Sequence, residues 1–237
     1  MGRVQVGLPG FHGDIAKYAQ RFDMVEVRAD TFDAVKPATL KAWRRAVKPA
    51  FTFSVVLPRS AGALSDTADA RAELARALKA AAVLEARCVV LETPADVRPT
   101  RANREKLQAL LARLTQPSTQ VCWEPRGMWE TSEVHATARA MGVLAVVDAA
   151  REPAPATPAI YTRIRALGAN GVSAKAIARI AEQLRGRRDA WVIVEDRASA
   201  ARVRKDLGGA LTELAPPPAA MVVKPSAGRL RAEDEEQ

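Results

Sequence analysis

Carboxylates and guanidinium groups recur beside short apolar runs throughout this chain. In order, they are Glu26 with Arg28, Arg59, Glu92, Glu124 with Arg126, Asp148, Arg163 with Arg165, and Glu195 with Asp196. Arginine forks clamp carboxylate or phosphate groups through paired N–H donors. A glutamate held near such a clamp can carry a proton. These residue types nominate Glu26 and Glu124 as candidate acid–base groups. Arg28, Arg59, Arg126, Arg163 and Arg165 are the candidate anion-binding groups.

Glu26 is the most informative of them, because it interrupts Val25 and Val27. Strand alternation turns it away from the face its neighbours use. A carboxylate buried there needs a cation, since an unpaired buried charge is very costly. Arg59, Arg126 and Arg163 are the available partners. Two readings of the same residues stay open: an anion-binding mouth, or an internal salt-bridge network that plugs the interior.

Other constellations carry less. Glu26, Glu92, Glu124, Asp148 and Glu195 offer oxygen donors suited to a hard cation such as Mg²⁺. The neighbouring arginines oppose one, and no histidine accompanies the carboxylates, so no metal and no cofactor is expected. His12, in Gly10-Phe11-His12-Gly13, is a general base or a loop-capping group. His135 reads as a surface residue, and Trp129 as a stacking platform or a packing anchor. Arg179, Arg185, Arg187, Arg188, Arg197, Arg202 and Arg204 form the densest basic region. They read as a solvated helical face or as a track for a nucleic-acid backbone, with Trp191 the one aromatic residue nearby.

The elements that must position these groups follow from the apolar pattern. Strand-like runs occur at Val4–Gly7, Met24–Val27, Phe51–Val56, Cys88–Leu91, Gln120–Trp123, Leu144–Val147, Ile160–Ile164 and Ala190–Val194. Helical spacing lies between them, near Asp14–Arg21, Pro37–Val47, Asp66–Ala86, Arg101–Leu114, Ser132–Met141, Ser173–Leu184 and Ala198–Leu207. Gly208-Gly209 is expected to stop the last helix. After the sixth run the helix is missing, and Arg151–Pro158 is a proline-rich connector. Eight βα repeats with nearly continuous apolar runs predict an α/β chain closed as a (β/α)₈ TIM-barrel-like fold. An open doubly wound sheet is the alternative, weakened by the lack of a glycine-rich phosphate loop after the first run. In a closed parallel barrel, the charged groups above fall at the strand ends that form the mouth.

Composition sets the frame. The chain has 237 residues, 48% hydrophobic and only 5% aromatic, so aliphatic side chains must supply most of the packing. The net charge is +9, which points to anionic partners. Arginines outnumber lysines 27 to 9 amid abundant alanine, a bias that also fits codon usage and weakens the inference from charge alone. Residues 1–211 are expected to form the barrel domain. Residues 212–237 are expected to form a proline-containing, partly disordered acidic tail. Cys88 and Cys122 lie in or beside apolar runs without metal-ligand spacing, so buried reduced thiols and a cytoplasmic location are expected. No signal pattern and no membrane-length apolar stretch is present, so no membrane partner is expected.

Several segments resemble the YecE-like family, domain of unknown function 72. Gly7-Leu8-Pro9-Gly10-Phe11 is similar to its "GTSGW". Arg21–Val27 followed by Thr31-Phe32 is similar to "ERFNTVEINSTFY". Phe51-Thr52-Phe53 with Leu57-Pro58-Arg59 is similar to "FRFAVKAPR". Glu124-Pro125-Arg126 with Trp129 resembles "EFRHPSW", and Tyr161–Ile164 resembles "YVRLHG". The resemblance implies a TIM barrel and brings no established reaction. Several polar family positions differ: the histidine of "RLHG" falls on Arg165, and the two asparagines of "FNND" become Glu195 and Asp196. The expectation is an anionic small-molecule partner, carboxylated or phosphorylated, at the barrel mouth. The alternatives are a nucleic-acid-associated barrel, or a divergent barrel that has lost catalysis.

Overall fold

The computed structural model describes residues 2–115, 119–165 and 171–213, the side chains at 32–34 and 212–213 excepted. Of the tail expected at 212–237, residues 214–237 lie outside them.

Eight parallel strands close on themselves in sequence order, with β8 returning to β1. They are β1 (Arg3–Pro9), β2 (Met24–Arg28), β3 (Thr52–Val56), β4 (Cys88–Thr93), β5 (Gln120–Pro125), β6 (Leu144–Val147), β7 (Ala159–Ile164) and β8 (Asp189–Val194). Eight helices accompany them among the described residues: α1 (Ile15–Ala19), α2 (Pro37–Arg45), α3 (Arg59–Gly62), α4 (Ala68–Val83), α5 (Arg101–Leu114), α6 (Thr131–Ala140), α7 (Ala174–Leu184) and α8 (Arg197–Glu213). The closed barrel is therefore the fold, and the open sheet is set aside. No described helix is long and apolar enough to cross a membrane.

Local chemistry explains the boundaries. Pro37 sits in the first turn of α2, where its missing N–H costs nothing. Thr67, Thr100 and Ser173 cap α4, α5 and α7 by accepting a backbone N–H from the first turn. Gly186 follows α7 with φ +75°, a conformation glycine adopts without strain. The helix expected to end at Leu207 instead runs through Gly208-Gly209 to Glu213. Its buried stripe of Ala200, Val203, Leu207 and Leu211 continues past the glycines. Burial of Leu211 offsets a helix penalty of about 1 kcal/mol per glycine.

Period-two alternation divides the core. Val25, Val27, Val89, Leu91, Val121 and Trp123 face outward under the helices. Met24, Val90, Cys122, Tyr161, Trp191 and Ile193 fill the barrel interior. Cys88 and Cys122 are buried free thiols in that inner layer. Between β6 and β7 the described chain has no helix, as the prolines predict. Side chains of α7 and of the turn after it tie the connector down instead. The Gln183 amide N–H donates to the carbonyls of Ala149 and Glu152, and its oxygen accepts from the Ala154 N–H. Arg187 donates to the carbonyls of Pro155 and Thr157.

Candidate functional site

The alternation that sends Met24, Val90, Cys122 and Tyr161 inward sends Glu26, Glu92, Glu124 and Arg163 inward two residues later. They form a charged layer at the C-terminal end of the barrel. Glu92 and Glu124 are lateral neighbours in register on β4 and β5. Like charges placed side by side repel, so this layer requires cations.

Arg163 supplies the centre. Its side chain is only 3% exposed and touches three carboxylates. Nη2 donates to Glu26 Oε2 at 2.7 Å, and Nη1 donates to Glu92 Oε1 at 2.5 Å. Glu124 Oε2 lies 2.7 Å from Nη1 as an ion contact, without hydrogen-bond alignment. Glu26 Oε2 also accepts from the Tyr161 hydroxyl at 2.6 Å, which in turn lies 3.0 Å from Ser54 Oγ. Burial pushes the Tyr161 hydroxyl well above its ordinary range, and the nearby Glu26 adds to it. Tyr161 is therefore a neutral donor here.

Three further guanidinium groups surround this layer. Arg28 makes a paired contact with Glu92, at 3.2 and 2.9 Å. Arg165 donates to Glu124 Oε1 and lies 4.0 Å from Glu195. Arg126 is half-exposed and sits 3.9 Å from both Glu92 and Glu124, hydrogen-bonded to neither. Arg28, Arg59 and Arg126, with Glu92, Asp30 and Asp96, line an open concavity of about 760 Å³.

The carboxylates do not share one environment. Burial pushes Glu92 up, but hydrogen bonds from Arg28 and Arg163 outweigh it and hold the group at about 2. Burial also pushes Glu124 up, and there Arg163 fails to cancel it, so its carboxyl titrates above the usual range. Glu124 Oε2 and Arg163 Nε are buried polar atoms without a hydrogen-bond partner among the described residues. Asp148 is also raised by burial, against hydrogen bonds from the Arg165 and Ala150 backbone. The two neighbouring carboxylates Glu92 and Glu124 are thus pushed in opposite directions by their surroundings.

The sequence-nominated residues thus meet at one end of the barrel, with differences in role. Glu26 takes Arg163 as its cation rather than Arg59 or Arg126. Arg59 opens α3 and faces the outer concavity, with no ion pair among the described residues. Tyr161 and Ser54, both within the buried network, escaped sequence reading. Inward alternation on β3 and β7 was the available signal. Trp129 is a packing anchor: it stands edge-on to Trp123 at 5.1 Å and donates its indole N–H to the Val97 carbonyl. His12 lies away from the charged layer, in a crevice against α1 and α8. Five of the seven late arginines are engaged within the chain: Arg185 with Glu182, Arg187 with carbonyls, Arg188 with Asp189, Arg202 with Asp206, and Arg204 with Asp23.

Fold and site together define a parallel (β/α)₈ barrel whose mouth is built on a buried arginine–glutamate network. The chain belongs to the family described as protein of unknown function DUF72, whose model matches residues 7–220. A DUF72 protein from Enterococcus faecalis V583 is similar in structure, with a TM-score of 0.70 at 17% identity over 90% of this chain and 98% of that one. A DUF72 protein from Thermotoga maritima MSB8 gives 0.60 at 15% identity over 89% and 98%. The barrel is also similar to a D-psicose 3-epimerase from Clostridium cellulolyticum H10, with 0.58 at 12% identity over 89% and 98%. No curated protein matches the sequence.

Proposed function

We propose that the barrel mouth binds a carboxylated or phosphorylated small molecule, and that Glu124 exchanges a proton with it. The observation that carries this reading is Arg126. Its guanidinium is half-exposed, within ion-pair range of two carboxylates and hydrogen-bonded to neither, above an open concavity. Arg28 and Arg59 line the same wall. At Arg126 and Arg59 an incoming anion meets N–H donors that need not first give up a carboxylate hydrogen bond, which lowers the cost of binding, whereas Arg28 is already paired with Glu92. Asp30 and Asp96 on this wall can accept from hydroxyl groups. A hydroxylated anion, such as a sugar acid or sugar phosphate, suits such a lining better than an apolar acid. Glu124 lies beneath Arg126 with one oxygen in ion contact with Arg163 but without a hydrogen bond, and its carboxyl raised by burial. A carboxyl raised by burial in this way is suited to take and return a proton. Glu26, held by Tyr161 and Arg163, keeps the central guanidinium in place.

The test is calorimetric titration with gluconate and glucose 6-phosphate, on the parent chain and on Arg126→Ala. Loss of a charge-assisted hydrogen bond of about 1.5–3 kcal/mol should weaken binding roughly tenfold to a hundredfold. Absence of binding by either anion, or equal affinity in the variant, overturns the proposal.

A further inference from the structure

A second concavity lies outside the barrel wall, between α1 and α8. Its origin is the length of α1, five residues against sixteen in α4 and seventeen in α8. Beside so short a helix, a crevice of about 370 Å³ remains above the buried outer face of β1. Leu8, Tyr18 and Phe22 form its apolar floor, and all three are buried. The Tyr18 hydroxyl is already occupied, accepting from the Leu8 N–H and donating to the Met24 carbonyl.

The walls are cationic. Lys17, Arg21 and Arg197 line the crevice together with His12, and none of them has an ion pair among the described residues. Arg21 is held over the Phe22 ring, 5.8 Å from its centroid. Arg197 stands close enough to Tyr18 to act on its hydroxyl electrostatically. The nearby acids already accept hydrogen bonds, and of them Asp23 is paired with a cation. Asp14 caps α1 by accepting from the Ala16 N–H. Both oxygens of Asp23 are taken by Arg204. Asp196 accepts from Ser199 and from the backbone N–H groups of Ala198 and Ser199. Among the lysine, arginine and carboxylate groups that line the crevice, three cations stand against Asp14 alone, a surplus of +2. Unneutralised cations gathered around one concavity raise the local concentration of anions.

We propose that this crevice is a second anion site, separate from the mouth, which takes the phosphoryl group of a small phosphate monoester. The charge makes the choice of class: a phosphate monoester carries about −1.5 to −2 near pH 7, against −1 for a carboxylate. A dianion matches the surplus, and the apolar floor accommodates the carbon body attached to it.

The experiment is equilibrium binding of inorganic phosphate and glycerol 3-phosphate to the full chain at low ionic strength. The parent is compared with a Lys17→Ala/Arg197→Ala double variant and with Arg126→Ala. Both Lys17 and Arg197 are solvent-exposed, so the double variant should fold, and its melting curve checks this. The crevice site should weaken at least tenfold in the double variant and remain in Arg126→Ala. If neither phosphate binds the parent, or the double variant binds as the parent does, the proposal is wrong. If a single-stranded oligonucleotide competes at lower concentration than glycerol 3-phosphate, the small-ester assignment is wrong. Loss in Arg126→Ala alone points to the mouth and likewise overturns the crevice site.

Discussion

Arg163 gathers three glutamates with one guanidinium, and this makes it the residue on which the mouth depends. Replacing one member of a buried ionic cluster leaves the others unpaired, at a cost of about 3–5 kcal/mol. Arg163→Ala should lower the urea-unfolding free energy by that amount, because Glu26, Glu92 and Glu124 then face each other without their shared cation. Glu92 gives a pH signature. Its folded value of about 2 lies below its ordinary 4.5. The stability it adds is therefore complete above that ordinary value and is lost as pH falls toward 2. Glu124 and Asp148 act in the opposite sense: their raised values favour folding at acid pH and lose that contribution as pH rises through them. Glu92→Gln should flatten the acid limb of a stability–pH curve between about 4.5 and 2, and an unchanged limb would contradict this. Much of this was legible in the sequence. Alternation alone turned Glu26 inward, and desolvation alone demanded a cation. Which cation was not legible, since Arg163 reaches Glu26 only after closure of the barrel leaves just β8 and β1 between β7 and β2.

Two pairs of glycines separate what an element tolerates from what it requires. Gly62, at the end of α3, lies so close to β4 that a Cβ there would stand 2.0 Å from the Glu92 carbonyl oxygen. Gly62→Ala should destabilise by more than about 1 kcal/mol through overpacking, and should disturb the Glu92 carboxylate along with its backbone. Gly127 at φ +84° follows Arg126, and a Cβ there would stand 2.8 Å from the Ala95 carbonyl oxygen. Gly209 is different: nothing lies within 4 Å of a Cβ built on it. Gly209→Ala should raise stability by about 0.5–1 kcal/mol, read as a higher melting temperature. The sequence could not distinguish these glycines. It marks Gly208-Gly209 as a stop, yet the buried stripe of α8 continues across them to Leu211. Strands fared better than helices, because β-runs bounded by charge and proline are short and unambiguous. Neither α3 nor the 3-10 segment Ala29–Ala34 was expected, as each is too short to show helical periodicity.

At the scale of the whole molecule, the closed barrel followed from counting eight apolar runs, and the mouth followed from where the charges fell on them. The charge surplus divides in a way that composition could not show. Most of the late arginines are absorbed within the chain, while Lys17, Arg21 and Arg197 are not. The proline-rich stretch between β6 and β7 has a different consequence. There no helix follows β6, so this four-residue strand has α6 on one side and, on the other, loop held through Gln183 and Arg187. Protection from solvent should be lowest along that seam. In deuterium uptake, amides 144–147 should exchange ahead of the other seven strands. Gln183→Ala should hasten them further while leaving the opposite wall untouched, so that the ring, when it breathes, parts at one stave.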